Sequence, residues 1–375
     1  MKITKKQLLK FVPVICILLG LLLIGGGFAM ADFNVENMQT VEHKPYVKKE
    51  KSVPAEQLSS IRIDSYHSEI NILPARDNHV RIQYKENEEY PMEVDMDSSQ
   101  LRLKRASKSF QFNWFDFNRN IRIPITIELP KNFLGKLDID TSYGNVKIHD
   151  AMFQDITIRN DHGNVSLSKL QAEALTLDVS YGSILLDDIY SRQAVQLNSE
   201  HGDIISKHLK ADRTRITSSY SDITMEETEV TGDVQLQQEH APINLGKLTA
   251  QTLQLESAYG DIRSTALAIA EKADFSLERS DAAMQKLKTK ELTLVASYGD
   301  TTISELDAAQ ILVEKERGDF TAAVNGSMDD FNILSEAEHG DNTLPTRYEN
   351  SSQRRLQVNV EYGNINVKFQ TNKHR

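Results

Sequence analysis

The sequence is poor in cysteine, tryptophan and proline, with one Cys (Cys16), one Trp (Trp114) and nine Pro in 375 residues. A lone thiol builds neither a disulfide framework nor a CxxC metal site, so packing and hydrogen bonds must hold the fold together. The chain has no HExxH zinc motif, no GxSxG nucleophile elbow, no phosphate-cradling glycine loop and no cysteine nucleophile, so no catalytic residue, cofactor or metal is expected. Helix-length amphipathic patterns are missing from the body, which excludes crossover helices and a doubly wound sheet. Positive charge is outnumbered, with 43 Lys and Arg against 54 Asp and Glu. Lys2, Lys5, Lys6 and Lys10 precede everything else, and without them the chain carries a net charge of about −15. Phosphate backbones repel such a body, so nucleic acid is not an expected partner. What is present, 39% hydrophobic and 26% charged residues, suffices for a sizeable core.

The one long apolar run is residues 11–31, FVPVICILLGLLLIGGGFAMA, uncharged and preceded by lysines. That pattern predicts a single transmembrane helix with its positive end in the cytoplasm and an extracytoplasmic body from Asp32 onward. A signal peptide cut after Ala29-Met30-Ala31 is the competing reading. The 18-residue apolar core from Phe11 to Phe28 is longer than a signal peptide needs, which favours an uncleaved anchor in the cell membrane.

The body repeats. Alternating apolar and polar residues lead to an aromatic or His, then Gly, a small polar residue and an aliphatic one, as in SYGNV (142–146), DHGNV (161–165), SYGSI (180–184), EHGDI (200–204) and EYGNI (361–365). Degenerate copies lie at 280–284 and 316–320. Tyr143, His162, Tyr181, His201, Tyr220, His240 and Tyr259 are 19, 19, 20, 19, 20 and 19 residues apart. Within a unit the period is two: Leu175, Leu177, Val179 and Tyr181 fall on one face of a strand. The alternation breaks at Gly182, where a turn or bulge is expected. Two short strands per ~19–20-residue unit at constant period predict an all-β chain, a β-solenoid in which each unit is one coil. At ~4.8 Å per coil, twelve units would form a rod of roughly 58 Å.

The corner residue alternates Tyr and His, and continues at Tyr298, His339 and Tyr362. Strand parity places these rings on the apolar face, as a buried or half-buried structural stack whose hydroxyls and imidazoles satisfy one another. A pH-sensing or metal-binding ladder is the functional alternative. Like histidines two coils apart, at ~10 Å, suit a metal poorly.

The remaining segments divide as follows: residues 1–10 form a basic cytoplasmic stretch, 32–60 a polar tether, 61–135 an irregular β cap, 136–370 the solenoid and 371–375 a basic tail. The cap contains an insert in which Phe110, Phe112, Trp114, Phe115 and Phe117 mix with Lys104, Arg105, Lys108 and Arg119. Aromatics interleaved with bases in an acidic body suit an anionic interface, so Phe112, Trp114, Phe115, Phe117, Lys104, Arg105, Lys108 and Arg119 are the candidate contact residues. The plainer alternative is a hairpin whose aromatics cover the end of the core.

Two further signals carry little. Arg317-Gly318-Asp319 spells an adhesion tripeptide but sits in the frame of His-Gly-Asp, with Arg replacing His. Asp161, Glu200, Glu239, Glu316 and Glu338 recur once per two units, which spreads them along the rod and leaves no pair at the ~5–10 Å of acid–base catalysis.

These features together resemble a bacterial family of candidate adhesins built from β-strand repeats, whose members include the membrane protein of Lia-type envelope-stress operons. The likeness rests on the N-terminal anchor, the strand Ile61–Ile63 with Asp64-Ser65 and Glu69-Ile70, the insert 110–117, the Leu129-Pro130-Lys131 turn and the Ser-Tyr-Gly-Asn-Val units. It implies a surface-exposed solenoid linked to adhesion or envelope stress, without catalytic residues. The expected function is a non-enzymatic, membrane-anchored adhesin or scaffold at the cell envelope. An accessory role in envelope-stress signalling and a glycan-cleaving enzyme are the alternatives. The expected partners are the membrane, through residues 11–31, and an anionic lipid, a wall polymer or a membrane sensor protein.

Overall fold

Stacked β-coils make up the body. The computed structural model describes residues 5–30, 45–88, 90–105 and 123–370. Each coil has two strands meeting at the glycine corner, as in Lys136–Tyr143 and Val146–Met152, Asp155–His162 and Val165–Ala172, Ala174–Tyr181 and Ile184–Ser191. Successive coils register in parallel: Ile156 lies between Leu137 and Leu175, and Val165 between Val146 and Ile184. The chain is therefore an all-β solenoid, preceded by a helix, Lys5–Met30. Among the described residues no helix is long and apolar enough to cross a membrane. Side chains of the Lys5–Met30 helix are described at 17–27, 29 and 30, where Ile17, Leu22, Leu23 and Ile24 are exposed.

Equivalent apolar positions form continuous inner columns, such as Ile139, Ile158, Leu177, Leu197, Ile216 and Leu236, all buried. Each such side chain contributes about 1.5–3 kcal/mol by leaving water. A second regularity lies in the strand after the corner. Asp150, Lys169, Asp188, His208 and Glu227 adopt φ of 52°, 51°, 58°, 51° and 49°. Each breaks the alternation in step with its neighbours above and below, leaving two residues outward before the next apolar side chain turns in, as at Asp187, Asp188 and buried Ile189.

The near end differs from the expected boundaries. Ser60–Ser65 and Ser68–Pro74 already form a coil, paired in parallel with Lys136–Tyr143 and Val146–Met152, so stacking begins inside the segment read as a cap. Val47–Pro54, within the segment read as a tether, pairs antiparallel with His79–Glu86. The lysines at 48, 49 and 51 that made it look like linker suit an edge strand, where charge blocks further pairing. At the far end the spatial order departs from the chain order. Arg354–Tyr362 stacks on Gln310–Arg317, and Phe331–His339 lies outside Arg354–Tyr362.

Candidate functional site

The glycine corners stack closely enough to define an edge of the rod. A Cβ on Gly182 would lie 2.1 Å from the Gly163 carbonyl oxygen, and one on Gly163 2.2 Å from that of Gly144. Close backbone approach, more than φ, demands glycine here. The residue after it links coil to coil. The Asn164 N–H donates to Asn145 Oδ1 (3.0 Å) and the Ser183 N–H to Asn164 Oδ1 (2.9 Å). Further along, the Asp300 N–H donates to Asp281 Oδ1 (2.7 Å), that of Asp319 to Asp300 Oδ1 (2.8 Å), and that of Asn364 to Asp319 Oδ1 (2.8 Å).

Beside this row runs a ladder of rings. Tyr143, His162, Tyr181, His201, Tyr220, His240 and Tyr259 stack with centroids 4.7–5.0 Å apart and planes within 26°. Strand parity put these rings inside, but they are outside: Tyr181 is 50% exposed and Tyr220 56%. Each lies at the end of its strand or, for His240 and Tyr259, two residues beyond it, so the corner turns it out of the alternation that buries Leu175, Leu177 and Val179. The stack is thus a solvent-exposed, face-to-face column, and the half-buried arrangement with paired hydroxyls and imidazoles is corrected.

The ladder also has members that the ring pattern missed. His67 stacks on Tyr143 at 4.9 Å. Arg279 lies 5.3 Å from the Tyr259 ring and 5.7 Å from that of Tyr298, and it donates to the Tyr259 hydroxyl at 3.0 Å. Arg317 lies 5.3 Å from both the Tyr298 and Tyr362 rings. His339 then stacks on Tyr362 at 4.7 Å. The two degenerate repeats are therefore places where a guanidinium takes the ring's position, a readable signal because Glu278-Arg279 and Glu316-Arg317 keep the frame of Glu200-His201. Arg317, sandwiched between two tyrosines, is committed to the ladder.

The acids follow the same geometry. Asp161, Glu200 and Glu239 are exposed and lie two coils apart. Sequence spacing separated Glu316 from Glu338, but the out-of-order strand places Glu361 between them on neighbouring strands. Beneath the Asp281–Asp300–Asp319 row, the buried Lys315 ammonium donates to the Gly299 carbonyl (2.6 Å) and to Thr301 Oγ1 (3.2 Å). Burial pushes this lysine down to about 8, against the opposing pull of Asp300, Asp281 and Asp319. Among the described residues no group of three His, Cys, Asp or Glu is placed to hold a metal ion.

Of the aromatic and basic contact candidates, Lys108, Phe112, Trp114, Phe115, Phe117 and Arg119 lie outside the described residues. Lys104 is exposed. Arg105 is a correction, because it is buried and its guanidinium points inward. It donates to Ser68 Oγ (3.0 Å), the Ile123 carbonyl (3.3 Å) and the Lys85 carbonyl (2.7 Å). It thereby joins strand Gln100–Arg105 to Ile123, the residues on either side of the insert. Burial lowers it to about 10.

The family model described as Toastrack DUF4097 matches residues 58–246 and 232–375. Among solved structures, a candidate adhesin from Bacteroides fragilis is 15% identical, covering 65% of this chain and 98% of that one with a TM-score of 0.39. A candidate adhesin from Parabacteroides distasonis is 12% identical, with coverages of 86% and 98% and a TM-score of 0.31. A candidate lipid-binding protein from the same species is 8% identical, with coverages of 84% and 96% and a TM-score of 0.23. No curated protein matches the chain.

Proposed function

Since the chain belongs to the Toastrack DUF4097 family, we propose that it is a non-enzymatic adhesion or scaffold rod of the bacterial cell envelope. The observation that carries this reading is the ladder edge. The exposed polar and aromatic side chains are laid out in rows, one member per coil, over the length of the solenoid. An extended, repetitive surface suits an extended partner, as in other solenoids.

Residues 11–31 anchor the rod in the cell membrane with its body outside. The uncharged run behind four lysines and the exposed Ile17, Leu22, Leu23 and Ile24 support this placement. The first coil then lies nearest the membrane. The insert 106–122 leaves from that end, between Arg105 and Ile123, and its Phe112, Trp114, Phe115 and Phe117 with Lys104, Lys108 and Arg119 contact an anionic lipid or wall polymer.

Trp114 is the sole tryptophan and reports on this contact directly. The full chain in nanodiscs of zwitterionic lipid is titrated with anionic wall polymer, and compared with the chain in anionic nanodiscs. A blue shift in either arm that Phe112→Ala and Phe115→Ala abolish supports the contact and identifies the source of the anion. A spectrum unchanged in both arms refutes it.

A further inference from the structure

The solenoid has a second corner, where the strand after the glycine corner returns to begin the next coil. Across three of the early coils this return corner carries a groove of about 520 Å³, a volume in the range of small-molecule sites. The groove exists because the filling of the corner changes. Phe153 packs edge-on against Phe133, centroids 5.9 Å apart, and fills the corner in one coil. Ala172 follows Gln171 as Phe153 follows Met152, so in the next coil only a methyl group stands there and the surface sinks. Met152, Gln171 and Tyr190 lie in register along one wall, one per coil, over about 10 Å. Gln154, Glu173 and Gln193 form the other wall and are joined through their backbones, the Glu173 N–H donating to the Gln154 carbonyl (2.8 Å) and the Gln193 N–H to that of Glu173 (2.9 Å). Leu134, 65% exposed, joins the lining just before Gly135, whose carbonyl accepts the Gln154 N–H at 2.9 Å.

Three properties of the lining select a ligand. Its charges are closed on themselves, Arg192 pairing with Glu173 at 2.8 Å and Asp155 with Lys136 at 2.9 Å. In a strongly acidic body the groove thus presents no unpaired charge among the described residues, which favours a neutral ligand. Its amides are free: Gln154, Gln171 and Gln193 make no side-chain hydrogen bond among the described residues, and each offers donors and an acceptor together. Its aromatic member is available, since Tyr190 is 45% exposed and stacks on no other ring among the described residues, unlike the tyrosines of the ladder. Sugar hydroxyls likewise donate and accept, and the C–H face of a pyranose ring is apolar, so a glycan matches both the amides and the ring.

We propose that this groove is a glycan-binding subsite that takes a neutral oligosaccharide of acetamido sugars, about two pyranose units lying along the rod. Tyr190 supplies the stacking face, Gln154, Gln171 and Gln193 bond the hydroxyl and amide groups, and Leu134 and Met152 meet the acetamido methyl. The groove lies at the opposite end of the strands from the ladder and uses no residue of the insert. It therefore adds a sugar-binding activity to the rod and stands or falls separately from the envelope contact proposed above.

The full chain in nanodiscs is titrated with the linear trisaccharide of N-acetylglucosamine, by calorimetry and by saturation-transfer NMR. Saturable binding with a Kd of about 0.1–1 mM is expected, with transfer to the ring C–H and acetamido methyl protons. Tyr190→Ala should weaken binding at least about tenfold, while Tyr190→Phe, which keeps the ring, should stay within about threefold of wild type. Gln171→Glu preserves volume but brings a charge to the wall, and should weaken binding by about three- to tenfold. Gln254→Ala, an exposed amide on a distant coil, should leave the Kd unchanged. Absence of saturable binding up to about 10 mM overturns the proposal. So does binding that neither Tyr190→Ala nor Gln171→Glu alters, because the sugar would then sit elsewhere on the rod.

Discussion

The Lys315 ammonium donates a 2.6 Å hydrogen bond to the carbonyl oxygen of Gly299, one coil earlier, from inside the solenoid. Asn160 makes the same contact near the other end, its Nδ2 donating to the carbonyls of Gly144 (3.0 Å) and Gly163 (2.9 Å). The site two residues before the ladder is thus a polar clasp for the glycine corner, filled by a neutral amide in one coil and a charge in another.

That charge predicts a stability profile. Burial lowers Lys315 from 10.5 to about 8, a cost of about 3 kcal/mol while the amine stays protonated. Below pH 8 both folded and unfolded chains hold the proton and the cost is constant. Between pH 8 and 10.5 the folded chain releases it first, so stability rises with pH. Lys315→Met should stabilise the protein at pH 7 by about 1–2 kcal/mol, after the loss of the hydrogen bonds to Gly299 and Thr301, and should remove the alkaline rise. Chemical denaturation at pH 7, 9 and 10.5 measures both, and a variant retaining the rise contradicts the assignment.

Corner glycines and the strand glycine Gly246 should behave differently. Gly182→Ala places a methyl 2.1 Å from a backbone oxygen that the next coil holds in place, so a loss of more than about 2 kcal/mol is expected. Gly246 faces its nearest atom, the Met225 carbonyl oxygen, at 3.3 Å, and Gly246→Ala should stay within about 1 kcal/mol of wild type. Similar losses at the two positions would show that stacking distance is not the determinant.

The row of positive-φ residues offers stabilising changes. Lys169 sits at φ 51°, where an L-residue is strained and glycine is not. Lys169→Gly should raise stability by up to about 1 kcal/mol, and Lys169→Val should lower it. A Tm series over Lys, Gly, Asn and Val at this position tests the order.

One interior hydroxyl is expected to be a net cost. Ser206 is fully buried between Leu186 and Met225 of adjacent coils, and its Oγ has no hydrogen-bond partner among the described residues. Ser206→Ala removes the orphaned group with little change in volume and should stabilise by about 1 kcal/mol. Urea unfolding that shows a loss would mean that the hydroxyl is satisfied in solution.

The solenoid itself was legible in the residues. A period of 19–20 with alternation two and a glycine break admits few other solutions, because each unit can bury its apolar face only against a copy of itself. The ladder was legible as a sequence of residue types but not as a surface. Parity predicts direction only while a strand stays extended, and Tyr181 lies where the chain turns. Arg317 was legible as a stand-in for His in the repeat frame, whereas Arg279 was hidden by looking for rings, although Glu278 before it marks the same frame.

The sequence by itself determined the coil, its inner columns and the alternation of tyrosine with histidine or arginine, because these depend on spacing along one strand and its neighbour. Only the tertiary structure decided which way the ladder faces, that Arg105 turns inward, and that Arg354–Tyr362 slips between Gln310–Arg317 and Phe331–His339. Those outcomes depend on contacts between residues far apart in the chain, where corner geometry, burial of one guanidinium and the order of stacking are set by packing that no local period encodes.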